Sequence, residues 1–171
     1  AVLDAPRGVM PVLATVHGIS YGSRHEAQNL ALHFERAPAQ GFHVGVLHCS
    51  VDRYPGHANY SPCSLDDLKS RRMNYWALGH VHGRAILSED PWIVYSGNTQ
   101  GRSIHSGERG EKGATLVEVD AGAVRSVTFF PTDTARFMEV TVDISKADDL
   151  AGVGELLRSE AETLADENEG V

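Results

Sequence analysis

The stretch Tyr75–Arg84, YWALGHVHGR, sets His80 and His82 one residue apart behind Gly79, at the end of an apolar run that reads as a buried strand. Side chains at i and i+2 of a strand share a face. The two imidazoles are therefore expected to project together, with Val81 turned to the core. Buried imidazole nitrogens need partners, and neutral histidine is the commonest protein ligand for metals. Metal coordination is the chemistry this pairing suits. His48 closes a second apolar run, VGVLHCS, just before a loop. In open α/β sheets, sites gather at the carboxyl ends of strands. Taken singly, His48 reads better as a core histidine bonded to backbone. With Gly-His-Val-His at a matching strand end, His48, His80 and His82 read as one metal site.

The elements that must position these residues follow from patterning. PVLATVHGIS (11–20) is β-branched and apolar, and predicts a strand. Ser23 with Glu26 three residues later resembles a capping box. Ala27, Leu30, Ala31 and Phe34 then fall at helical spacing, with Pro38 and Gly41 as the stop. FHVGVLHC (42–49) predicts a strand apolar on both faces, as in a sheet covered on both sides. A loop over 52–63 leads to a second capping box, Ser64 and Asp67, and a short helix. Strands follow at 75–79, 84–89 and 92–97, the last two separated by Asp90-Pro91. Residues 98–113 form a glycine-rich polar connection, within which GERGEKG (107–113) is expected to be a mobile hairpin loop. Residues 114–120 and 123–130 predict a hairpin around Ala121-Gly122. Beyond Pro131, ARFMEVTVDI alternates like a strand. An acidic amphipathic helix is then expected, capped by Ser145 and Asp148, with Leu150, Val153, Leu156, Leu157, Ala161 and Leu164 as its apolar stripe.

Charge divides the chain at the same place. Residues 131–171 hold eleven of the 23 acidic side chains and three of the 15 basic ones, which accounts for the whole net charge of −8. The remainder is balanced and carries all nine histidines. The acidic end is unsuited to binding nucleic acid through phosphate contacts, which need Lys and Arg. One strand and one helix cannot build a core of their own. Two domains are therefore expected: 1–130, and 131–171 as the beginning of a second, incomplete one. No apolar run is long enough to span a membrane, and no secretory signal is visible. Cys49 and Cys63 are read as free thiols of a reducing cytosol rather than as a bridge, which predicts a cytoplasmic location.

LHCS followed by ALGHVHGR resembles the last two metal motifs of the calcineurin-like metallophosphoesterases. That family's pattern runs Asp-x-His, Gly-Asp, Gly-Asn-His, a single His, then Gly-His-x-His. HANYSPCSLDDL, YWALGHVHGR, YSGNTQGR and GEKGATLVEVD, in that order, resemble more narrowly its DNA-repair exonuclease branch, the YhaO-like and SbcD-like group. The likeness covers roughly residues 12–145. It implies an α/β fold: the second half of a metallophosphoesterase β-sandwich flanked by helices, then the start of a small α+β capping domain. It implies that His48 and His80 hold one divalent ion and His82 another, with Mn²⁺ as the family's metal and the pair ~3.5–4 Å apart around an in-line phosphoryl displacement. DNA is the implied substrate, an SbcC-like ATPase the implied partner, and a homodimer is compatible with it. The chain contains no Asp-x-His, Gly-Asp or Gly-Asn-His. In the family those motifs supply the bridging carboxylate and the acid–base histidine. No catalytic acid or base is therefore assigned, and the chain is expected to be the C-terminal portion of the catalytic domain, inactive alone.

Three further residues are candidate substrate contacts: His57 and Tyr60 in the loop before the first capped helix, and Arg102 after SGNTQG. Tyr60 could stack on an unpaired base, and Arg102 could hold a phosphate. GERGEKG lacks the Gly-Lys-Ser/Thr ending and the following helix of a phosphate loop. Two other functions stay open: a metallophosphatase or cyclic-nucleotide phosphodiesterase of the same superfamily, and a non-enzymatic metal-binding interaction module.

Overall fold

The computed structural model describes residues 2–3, 13–38, 41–53 and 59–167. It is a mixed α/β structure. Strands β1 (Val2–Leu3), β2 (Ala14–Gly18), β3 (Phe42–His48), β4 (Tyr75–Gly79), β5 (Ala85–Glu89) and β6 (Trp92–Tyr95) form one sheet. Their order is β1-β2-β3-β4-β6-β5. The four inner strands run parallel, and β1 and β5 pair antiparallel at the two edges. Strands β7 (Gly113–Asp120) and β8 (Ala123–Pro131) form a separate antiparallel hairpin. Its turn falls at Ala121-Gly122, both at positive φ, as two-residue hairpin turns require.

Strand periodicity sorts the core into two layers. Phe42, Tyr75 and Val94 point to one face, where Val117, Val124 and Val127 of the hairpin pack with them. Leu47, Trp76, Leu78, Ile93 and Tyr95 point to the other, against Leu30, Ala31, Phe34 and Leu68. Each large apolar side chain buried in this way contributes about 1.5–3 kcal/mol. Trp76 is fully buried, and its indole N–H donates to the Leu68 carbonyl at 3.2 Å. Leu68 belongs to α1 (Leu65–Ser70), which begins with the expected capping box between Ser64 and Asp67. Cys49 and Cys63 are buried free thiols. No helix among the described residues is long and apolar enough to cross a membrane.

Three expected elements differ. The helix after Ser23 reduces to one 3-10 turn, Leu30–His33. Ser23 and Glu26 do not cap it: the Ser23 hydroxyl donates to the His25 carbonyl, and the Glu26 carboxylate accepts from the Gln28 N–H. Such local bonds compete with helix formation. The Glu26 carbonyl meanwhile accepts from the Ser61 N–H at 2.8 Å, which ties this segment to the loop after β3. Residues 135–144 form no strand, because the chain here runs along the 98–113 connection instead of along a sheet. The N–H groups of Thr132 and Asp133 donate to the Lys112 carbonyl, and that of Thr134 to the Gln100 side chain. The final helix, α2 (Leu150–Glu167), starts later than Ser145. The Asp149 carboxylate accepts from the Gly152 N–H at 2.8 Å. None of the described α2 residues is buried; Leu150 is 89% exposed, and Val153, Leu156 and Leu164 are half-buried.

Candidate metal centre

Strands β3 and β4 run parallel with His48 opposite Gly79, so their carboxyl ends deliver His48 and His80 to one place. His48 Nε2 and His80 Nδ1 lie 3.3 Å apart. Gly79 makes this possible. A Cβ there would sit 3.1 Å from His48 Nδ1, so the bare backbone leaves room for the His48 ring. The backbone behind that ring is fixed from three sides. The Tyr21 hydroxyl donates to the His48 carbonyl at 2.8 Å. The Cys49 N–H donates to the Gly79 carbonyl. The Tyr95 hydroxyl, buried at the end of β6, donates to the Cys49 carbonyl at 2.8 Å and accepts from the Val51 N–H at 3.0 Å.

β4 ends at Gly79, and His80 follows at φ 106. His80 and His82 are thus not consecutive same-face residues of a strand. The chain turns between them. His80 meets His48, while His82 Nδ1 meets the Glu108 carboxylate at 2.6 Å. Burial lowers the His48 pKa, and the nearness of His82 works in the same direction. The backbone of His82 is held by the start of the 98–113 connection, since its carbonyl accepts from the Asn98 N–H at 3.0 Å. Gly97, at φ +77, lies so close that a Cβ would come within 2.9 Å of both the His82 carbonyl oxygen and the Arg84 nitrogen.

The 98–113 connection folds back onto the end of β4. Glu108 is 6% exposed and sits in a 3-10 turn, Ser106–Glu108. Its carboxylate accepts from His82, from the Arg102 backbone and guanidinium, and from Asn98. Burial works to raise its pKa, but these donors outweigh burial and bring it down to about 2. Lys112, 4% exposed, donates to the carbonyls of Gly107 and Arg109.

The candidate residues are therefore distributed as follows. His48 and His80 are in contact. His82 lies beside them but is bonded to Glu108. Tyr60 stands edge-on to His80, with ring centroids 5.6 Å apart. Arg102 has a 68% exposed side chain and pairs with Glu108. His57 lies outside the described residues. Glu108 escaped the sequence because an acid in a glycine-rich stretch, here one of two with Glu111, has no periodicity to mark it. Tyr95 escaped as one more apolar residue of a strand.

Imidazole nitrogens bound at about 2.0–2.1 Å to one ion lie roughly this far from each other, so the His48–His80 spacing fits two ligands of one metal. The set is partial, since no group of three or more His, Cys, Asp or Glu among the described residues could hold an ion.

No family model matches the chain. Over 146 residues, 85% of its length, the chain is 36% identical to YhaO, an uncharacterized metallophosphoesterase of Bacillus subtilis (strain 168). It spans 35% of that protein's length. The likeness supports the metallophosphoesterase superfamily, and the α/β sheet with its hairpin layer is compatible with part of such a fold.

Proposed function

We propose that this chain, as part of a metallophosphoesterase, carries the histidine side of a two-metal centre that hydrolyses phosphodiester bonds of DNA as an exonuclease. The observation that carries the proposal is the His48–His80 pair, 3.3 Å apart at the carboxyl ends of two parallel strands. His48 and His80 would hold one ion and His82 the other, with Mn²⁺ as the metal. When bound, such ions polarise a phosphoryl oxygen and acidify a water. Carboxylate ligands from elsewhere in a longer protein would complete the site. Tyr60, beside His80, offers a ring on which a base can stack. The exposed guanidinium of Arg102 offers a phosphate contact, and His57 shares that role. Residues 131–171 would open a capping domain whose other parts guide DNA, since this acidic stretch itself is unsuited to phosphate contacts, in a cytoplasmic complex with an SbcC-like ATPase.

A substrate panel on the full-length protein tests this. Mn²⁺-dependent release of nucleotides from DNA ends is expected. His80→Ala should lower it by at least about tenfold, the loss that follows removal even of outer partners of a metal ligand. Hydrolysis confined to phosphomonoesters or cyclic nucleotides would overturn the nuclease assignment. The 171-residue chain alone is expected to be nearly inactive. Robust Mn²⁺-dependent nuclease activity from it, lost in His82→Ala, would show that these residues suffice.

A further inference from the structure

The geometry points to Glu108 as the positioning residue of His82, fixing the proton on Nδ1 so that Nε2 is the nitrogen presented to a metal ion. This rests on the metal role proposed for His82 and deepens it.

The argument is one of donors and acceptors. A neutral imidazole has one N–H and one lone pair, and an ionised carboxylate can only accept. Glu108 Oε1 lies 2.6 Å from His82 Nδ1. The same carboxylate accepts from the Asn98 amide at 3.3 Å, the Arg102 N–H at 3.2 Å and the Arg102 guanidinium at 3.3 Å. With three other N–H donors on it, the Glu108 carboxylate is the acceptor of this cluster, so the hydrogen in the His82–Glu108 contact belongs to Nδ1. The lone pair is then on Nε2. Burial follows the same division, with the Glu108 side chain 8% exposed and that of His82 38% exposed. Carboxylate partners of this kind orient ligating histidines and raise their basicity. The Asn98 N–H also holds the His82 carbonyl, so one connection fixes both the backbone and the ring. If Glu108 served only to neutralise Arg102, the His82 tautomer would not depend on it.

The test uses metal-free full-length protein, ¹⁵N-labelled at histidine. Long-range ¹H–¹⁵N spectra should show His82 protonated on Nδ1. Glu108→Ala should abolish that preference and weaken Mn²⁺ binding by about 10–100-fold. Glu108→Gln, whose amide oxygen still accepts, should keep the tautomer and recover most of the affinity. If Glu108→Ala does not fold, the wild-type and Glu108→Gln spectra decide. Protonation on Nε2 in the wild type overturns the inference. So does a folded Glu108→Ala with the wild-type tautomer, or with a changed tautomer and unchanged Mn²⁺ affinity; these leave the metal role of His82 standing. Failure of the wild type to bind Mn²⁺ overturns the metal role itself, and the inference with it.

Discussion

Tyr95 is a single hydroxyl that ties β6 to the turn after β3, and so to His48. Tyr95→Phe leaves the Cys49 carbonyl and the Val51 N–H without this partner in a buried setting. A loss of about 1–3 kcal/mol is expected for such orphaned groups, measurable by urea unfolding. Gly79→Ala acts on the site more than on the fold. The added Cβ meets His48 Nδ1 at 3.1 Å, and the ring must move by a few tenths of an ångström. Isothermal titration of the full-length protein should show weaker Mn²⁺ binding, with the thermal midpoint nearly unchanged. At this scale the sequence was legible where a residue sat at a strand end. His48 and His80 could be placed from the apolar runs before them. Glu108 could not, because its role exists only once the 98–113 connection folds back onto the end of β4.

Two segments carry the same Ser-x-x-acid pattern, and only one becomes a capped helix. Ser64 and Asp67 exchange both bonds of the capping box, and Leu68 is fully buried in the core one residue further on. Ser23 and Glu26 spend their side chains on local turns while the Glu26 carbonyl is taken by Ser61. The pattern is local, but the competition that decides it is tertiary. Ser64→Ala should therefore destabilise the protein by about 0.5–2 kcal/mol. The box is also acid-sensitive. The Ser64 N–H holds the Asp67 carboxyl below its ordinary 3.8; burial opposes this, and the Ser64 hydroxyl and Asn29 amide add to it. Its folded pKa is depressed, so its contribution is present above pH of about 3.8 and is lost as pH falls through the lower folded value. Thermal melts below pH 3.8 should show wild type losing stability faster than Asp67→Asn.

Across the whole molecule, the sheet and hairpin were legible because alternation of buried side chains marks strands well. The strand expected at 135–144 was not, since alternation there has no neighbouring strand to satisfy, whereas the acidic helix that follows it was. α2 has no buried residue among those described. Removing residues 145–171 should therefore change unfolding free energy by no more than about 0.5 kcal/mol, as chemical denaturation would show. The hairpin turn and the 98–113 connection differ in one more respect. Flexible loops usually accept added residues at little entropic cost. The turn at Ala121-Gly122 is exposed and should take a tag or even a small inserted domain. The stretch from Gln100 to Glu108 should not, because the number of residues there is what brings one carboxylate to one imidazole. Length itself is specified in that segment, and an insertion that leaves every side chain intact would still separate Glu108 from His82.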